Sequence, residues 1–407
     1  MKIVRIIARL NVGGPARHVV WLTEALQDEE FESILLTGRV PEGEEDMEYF
    51  AKAHGVKPIF IEEMSRELSL NDLFSLWKVY RLLLKEKPDV IHTHTAKAGT
   101  VGRTAGFLYK WFTPKTLIGK PRRVRIFHTF HGHIFHSYYG NLKTKLFLFV
   151  ERCLAKFATD KIVVISEQQG KEINEEFGVG SAKQFEVIPL GIDLKPYDKS
   201  SLKRGILRKE IDVTTDEIVV GLVGRLTEVK NHELFLRAAA QYRDERKPDH
   251  PNLRFVIIGD GHLRMDLEEI AARLKLDRDV IFLGNRNDPD VFYAGLDIVA
   301  LTSLNEGTPL SLIEAMANEK PVISTTVGGV VDLLGKRLKE ESGISYCERG
   351  LGVETGDASG LIRGLLVLAA DQKLRNGLVR EGKTFVQTNY SKERLLNDIR
   401  GLYRKAK

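Results

Sequence analysis

Acidic side chains are missing from one long stretch of this sequence. Between Asp89 and Glu151 there is no Asp or Glu, while the stretch carries Lys97, Arg103, Lys110, Lys115, Lys120, Arg122, Arg123, Arg125, Lys143 and Lys145. Cysteine is nearly absent too: Cys153 and Cys347 are the only two, too few for a disulfide framework or a cysteine metal cluster, and a count that fits a reducing compartment. No run approaches the ~18 apolar residues that read as a membrane span; the densest, 146–150, is far shorter. The N-terminal segment is not expected to be a signal peptide either. Arg5 and Arg9 interrupt it and no small-residue cleavage site follows, so it reads as a first buried strand. Short repeats and low-complexity tracts are also lacking. These absences lead us to expect a cytoplasmic globular chain.

What is present fits that class. With 43% hydrophobic and 29% charged residues and a net charge of +5, the 407-residue chain is an ordinary soluble composition, long enough for two or three domains at ~100–200 residues each. The acid-free stretch interleaves its cations with Phe107, Tyr109, Trp111, Phe112, Phe135, Tyr138, Tyr139, Phe147 and Phe149. A basic surface with apolar aromatics suits an anionic membrane, and peripheral attachment to the inner membrane face is the expectation. A solvated positive face with buried aromatics is the plainer alternative. Nucleic acid is not expected as a partner, because no nucleic-acid motif accompanies the charge.

Short β-branched runs alternate with amphipathic segments along the chain, the pattern of an α/β fold with parallel sheets. Strands are expected at 2–8, 33–37, 57–61, 90–93, 124–129, 161–165 and 186–188. A second series is expected at 218–223, 254–258, 280–283, 298–301 and 321–324, with a sixth near 351–354. Helices are expected between them, for example 15–27, 70–85, 234–243 and 263–274. The boundary falls in 189–216, rich in Pro, Gly, Lys and Asp. The reading is two Rossmann-like domains, 1–192 and 193–388, facing each other across a deep cleft, with a helix at 389–407 crossing back to the first. The segment 335–350 is expected to be a charged surface loop.

Ligands of open α/β sheets bind beyond the carboxyl ends of strands, and the motifs fall there. Asn11-Val12-Gly13-Gly14-Pro15-Ala16-Arg17-His18 follows the first strand. Its glycines permit close backbone approach, Pro15 suits a first helical position, and the helix end favours a phosphate. Gly224-Arg225-Leu226-Thr227-Glu228-Val229-Lys230-Asn231 follows the first strand of the second series. Arg225 and Lys230 in one such loop suit a diphosphate and the charge that develops on it as it leaves. Asn305-Glu306-Gly307-Thr308-Pro309-Leu310 leads into a helix whose first N–H groups can hold phosphate oxygens, with Glu306 before it and Glu314 inside it. One carboxylate can serve a sugar, the other a ribose diol. Phe127-His128-Thr129-Phe130-His131-Gly132-His133 carries three histidines, but on an extended strand His128 faces away from His131 and His133, so this piece alone makes an awkward metal site. His92 and His94 are candidates for pocket lining. Asp288-Pro289-Asp290 reads as a capped helix start rather than a metal motif.

Taken in order, these pieces resemble the retaining GT-B glycosyltransferases of family four. The matching segments are Gly13-Gly14, Thr129-Phe130-His131-Gly132, Val187-Ile188-Pro189-Leu190-Gly191-Ile192-Asp193, Gly224-Arg225 with Lys230, Gly259-Asp260-Gly261, Val327-Gly328-Gly329, and Tyr390-Ser391-Lys392-Glu393-Arg394. The most specific is the pair of glutamates, Glu306 and Glu314, separated by seven residues. The resemblance implies a donor site in which Glu314 binds the nucleotide ribose and Glu306 the donor-sugar hydroxyls. Arg225 and Lys230 would hold the diphosphate, with backbone help from Gly307, Thr308, Pro309 and Leu310. His131 would stand beside the reacting sugar, Gly14 near the donor phosphate and acceptor, and the main chain around Arg286 against the base.

The function expected is transfer of a sugar, with retention, from a nucleotide-sugar donor of the UDP class to a hydroxyl of a lipid-linked cell-envelope glycan. Glu306, His131, Arg225 and Lys230 would be catalytic, with no metal and no cofactor. Two alternatives are a UDP-N-acetylglucosamine 2-epimerase-like enzyme and a non-catalytic polyanion-binding module.

Overall fold

The computed structural model describes residues 1–11, 13–41, 46–64, 71–131 and 141–405. Val12, Gly132, His133, Phe135, Tyr138 and Tyr139, named above, lie outside them, as does the side chain of Lys143. The described chain divides into two compact units, one of Met1–Leu190 with Leu395–Lys407, the other of Gly191–Arg394.

In the first unit the strands are β1 (Lys2–Arg9), β2 (Glu32–Gly38), β3 (Ile59–Phe60), β4 (Val90–His94), β5 (Arg125–Thr129), β6 (Lys161–Val164) and β7 (Phe185–Val187). They form one parallel sheet in the order β3-β2-β1-β4-β5-β6-β7. Alternation along each strand sends successive side chains to opposite faces. Val4, Ile6 and Ile91 pack under the helices Asn71–Glu86 and Ala96–Trp111. Ile3, Val90 and Phe127 pack on the other face, with Leu22 of the helix Gly14–Ala25 and with Leu395, Ile399, Leu402 and Tyr403 of the C-terminal helix Lys392–Arg404. The last helix is also held electrostatically: Arg400 pairs with Asp28 at 2.7 Å and Arg404 with Glu30 at 2.6 Å.

The second unit contains β8 (Glu217–Val223), β9 (Asn252–Ile258), β10 (Val280–Phe282), β11 (Ile298–Leu301), β12 (Val322–Thr325), β13 (Arg337–Glu341), β14 (Ile344–Cys347) and β15 (Leu351–Val353), ordered β10-β9-β8-β11-β12-β15-β14-β13. Its core gathers Val220, Leu222, Phe235, Phe255, Ile257, Ala300, Ile323 and Leu365. The expected surface loop at 335–350 is instead an antiparallel hairpin, β13 with β14, added to the sheet edge through β15. Its turn is Ser342-Gly343, both at positive φ (53° and 77°), the geometry of a tight two-residue hairpin turn. The sequence hid it because β13 is exposed along its whole length and so shows no hydrophobic alternation.

Candidate active site

In the second unit, the expected residues gather where β8 and β11 end. Lys230 forms an ion pair with Glu306, and the same Glu306 oxygen accepts a hydrogen bond from Ser303 at 2.6 Å. Thr302, just past β11, donates to the carbonyls of Lys230 and Asn231, both at 3.0 Å, and the N–H of Leu304 donates to Val229 at 2.7 Å. The two turns are thus laced together, and the pairing of Lys230 with Glu306 follows from that backbone arrangement. Asn231 adopts a left-handed conformation (φ 49°), which asparagine tolerates better than most residues. Arg225 leaves the same turn as Lys230 and is exposed. The loop Val327-Gly328-Gly329 supports Glu306 from behind: the N–H of Gly329 donates to the Glu306 carbonyl at 3.0 Å. A Cβ on Gly328 would stand 2.1 Å from that carbonyl, and one on Gly329 would stand 1.6 Å from the carbonyl of Gly307. Only glycine fits at either position. Gly259-Asp260-Gly261 buttresses the Arg225 turn in the same way, with the Asp260 carbonyl accepting from Leu226 at 3.0 Å.

The helix Leu310–Ala317 begins directly after Gly307 and Thr308, with Pro309 at its N-cap and no side chain capping it. The Leu312 N–H bonds the Pro309 carbonyl at 3.2 Å, ahead of it stand the N–H groups of Leu310 and Ser311, and the helix dipole favours negative charge at this end. Glu314 lies one turn in, where its Oε2 accepts from the Tyr293 hydroxyl at 3.2 Å, and Tyr293 also donates to the Ser311 carbonyl at 3.1 Å. Two cations, a helix N-terminus and two carboxylates converge on one end of the sheet. Phosphate oxygens suit the first two kinds of group, and sugar hydroxyls suit the third.

The first unit has its own constellation at the carboxyl ends of β1, β4 and β5. His92 and His94 stack with ring centroids 4.4 Å apart. His94 Nδ1 and His131 Nε2 are hydrogen-bonded at 2.9 Å, and His18, from the helix that opens at Gly14, lies edge-on to His131 at 4.9 Å. Nitrogens of His18, His94 and His131 all lie within 4.8 Å of one another, a set from which a metal ion could draw three ligands. His128 is on the opposite face, bonded to Thr93 at 2.8 Å. Burial pushes the His92, His94 and His128 imidazoliums well below the ordinary range, and desolvation lowers His131 to about 3, so all four rings are neutral at neutral pH. Beneath them Arg5 is fully buried, and among the described residues no carboxylate pairs with it. That lone buried cation opposes a divalent ion in the histidine set. Thr95, next to His94, has φ 69°, a strained backbone where function is often found.

Residues 12–196 match the family described as Glycosyltransferase Family 4, and residues 203–385 match Glycosyl transferases group 1. A galactosyltransferase of Escherichia coli, named UDP-Gal:alpha-D-GlcNAc-diphosphoundecaprenol alpha-1,3-galactosyltransferase, is 30% identical over 86% of this chain and 84% of its own. The chain belongs to the family 4 glycosyltransferases. The capsular polysaccharide glycosyltransferase CapM of Staphylococcus aureus is 26% identical over 84% of this chain and 83% of its own. Among solved structures, Anabaena HepE in complex with UDP-glucose superposes with a TM-score of 0.78 at 22% identity, covering 100% of both chains. A sucrose-phosphate synthase of Thermosynechococcus elongatus gives 0.76 at 22% identity over 100% of this chain and 99% of that one. The fold is therefore GT-B, and the protein is a glycosyltransferase.

Within this glycosyltransferase the structure brings Lys230, Glu306, Gly307, Thr308, Pro309, Leu310 and Glu314 together, with Arg225 on the same turn as Lys230. Gly14 and His131 belong to the other unit. The Arg286 side chain is committed elsewhere: it pairs with Asp288 at 2.6 Å and with Glu210 at 2.6 Å, leaving only its backbone for a ligand. Asp288 does occupy an N-cap position, yet its carboxylate grips Arg286 instead of capping the helix, and Asp290 pairs with Lys203. The acid-free stretch is also less of a surface than its charge suggests. Lys97 and Arg103 are buried against Asp72 and Glu151, and Lys110 and Arg125 share Asp160. Lys115, Lys120, Arg123 and Lys145 remain exposed, as do Trp111, Phe112, Leu117 and Ile118. Sequence reading carried His18 only as the end of its first motif and gave Arg5 and Tyr403 no role in a site, because their partners are remote in the chain; the only local signal for Arg5 was a charge inside an otherwise apolar first strand.

Proposed function

We propose that this glycosyltransferase moves a sugar from a UDP-sugar to a hydroxyl of a lipid-linked cell-envelope glycan, with retention of anomeric configuration and without a metal ion. The observation that carries the donor half is the Lys230–Glu306 pair beside the uncapped N-terminus of Leu310–Ala317. In this reading Arg225, Lys230 and the N–H groups after Thr308 hold the diphosphate. Glu306 takes donor-sugar hydroxyls, Glu314 the ribose, and the main chain around Arg286 the base. His131 stands beside the reacting sugar and Gly14 near the phosphate and acceptor. The C1–O bond to the diphosphate breaks and its electron pair stays on the phosphate oxygen, where the two cations stabilise it. The acceptor oxygen attacks C1 from the same face, and its proton passes to that phosphate oxygen. The acceptor class is supported by the Escherichia coli relative, which is named for transfer to a GlcNAc-diphosphoundecaprenol.

The test is NMR of the product formed from an α-linked UDP-sugar, with and without EDTA. An α-linked product at an undiminished rate in EDTA is expected; a β-linked product, or a rate abolished by EDTA, contradicts the proposal.

A further inference from the structure

Arg5 is a charged residue in the middle of the first strand, fully buried, on the face that β1 shares with Ile3. Its Nη1 reaches the Tyr403 hydroxyl at 3.1 Å and His94 Nε2 at 3.5 Å. Burying an unpaired guanidinium is costly, and an apolar side chain of similar size would be tolerated at least as well. Packing does not account for it, so its value is sought in what it does to its neighbours.

A guanidinium can only donate hydrogen bonds. His94 Nε2 must therefore accept from Arg5, and a neutral His94 carries its proton on Nδ1. That Nδ1–H donates to His131 Nε2 at 2.9 Å. His131, neutral for the same reason of burial, is left with its proton on Nδ1, an atom that is itself buried and has no hydrogen-bond partner among the described residues. The Tyr403 hydroxyl also accepts from Arg5, and it lies 2.6 Å from His92 Nδ1, whose Nε2 is 2.7 Å from Thr129 Oγ1; hydroxyls both donate and accept, so Arg5 does not set the direction on this side. One donor-only residue thereby sets the polarity of the chain from His94 to His131.

We propose that Arg5 is a positioning residue: through His94 it fixes His131 in the tautomer that presents Nδ1–H, so that the atom His131 meets in a ligand must be an acceptor oxygen. Resting on the function proposed above, that oxygen belongs to the donor sugar or its phosphate. The inference makes His131 a hydrogen-bond donor and excludes it as a general base in the transfer.

The experiment is nitrogen NMR of the ligand-free full chain labelled at histidine, with His131→Gln to assign the His131 signals. The wild type should show His131 protonated at Nδ1 and unprotonated at Nε2. In Arg5→Met that preference should be lost, the melting temperature should not fall, and kcat should drop on the order of 100-fold. Arg5→Lys, which keeps a donor-only group, should restore the tautomer. Should Arg5→Met not fold, His94→Phe breaks the same relay one link later and should likewise release the His131 tautomer. An unchanged His131 tautomer in whichever of these two variants folds would overturn the proposal. So would stoichiometric Zn²⁺ shifting the His18, His94 and His131 signals together, because a metal in that set would replace the relay. These spectra need no substrate, so a wild type that turns over no nucleotide sugar would refute the proposed function and leave the relay intact.

Discussion

His131 illustrates how one residue's surroundings set its chemistry. Desolvation lowers its conjugate acid to about 3 from an ordinary 6.5, so the unfolded chain binds a proton there that the folded chain rejects. Across that window the unfolded state holds more protons, and folding stability therefore rises with pH and is complete above 6.5. His92, His94 and His128 are shifted the same way and add to the effect. The melting temperature should accordingly be flat above 6.5 and fall between 6.5 and about 5, where carboxylates are still ionised. A shallower fall in His131→Gln is expected, and a flat profile through that interval in the wild type would contradict the assignment. At this scale legibility depended on distance in sequence. Glu306 and Glu314 could be read because one turn and one helix carry both. Arg5 could not be paired with Tyr403, 398 positions away, because only the closing of the sheet and the docking of the last helix bring them together.

Among the elements, the helices Ala96–Trp111 and Asn141–Ala158 are joined by an ion pair with no exposure on either side, Arg103 with Glu151 at 2.7 Å. Removing one partner strands a buried charge, whereas replacing both with apolar residues does not. Glu151→Leu alone should cost about 3–5 kcal/mol in chemical denaturation, and Arg103→Met with Glu151→Leu should recover most of it. Equal losses in the single and double variants would show that packing, not charge, governs this contact. The β-strands of both sheets were readable because their apolar runs are flanked by turn residues. The β13–β14 hairpin was not, since its outer strand buries nothing and carries charges that read as loop. The glycines of Gly328-Gly329 were visible as a motif, but their reason, the closeness of the Glu306 and Gly307 carbonyls, belongs to the fold.

For the whole molecule, composition spoke to solubility class and left the surface undecided. Among the described residues no helix is long and apolar enough to cross a membrane. Leu117 is 91% exposed, Ile118 69% and Phe112 65%, and Lys115, Lys120 and Arg123 lie in the same stretch of chain. Each cation near an anionic bilayer contributes about 1 kcal/mol. Binding to anionic liposomes at low salt is therefore expected, and Leu117→Ser with Ile118→Ser should weaken it; equal sedimentation of the variant and the wild type would remove this surface from the account.

The central claim is that the second unit holds a nucleotide sugar through Glu314 and the groups around it. Its most direct test is thermal unfolding with UDP, GDP and their sugars, on the wild type and on Glu314→Ala. A ligand that binds only the folded state adds about 2.7 kcal/mol at a hundredfold excess over its dissociation constant. The account predicts that UDP or a UDP-sugar raises the wild-type melting temperature and leaves the variant unmoved. A folded wild type that shifts with none of these ligands, or a variant that shifts as much as the wild type, would contradict it.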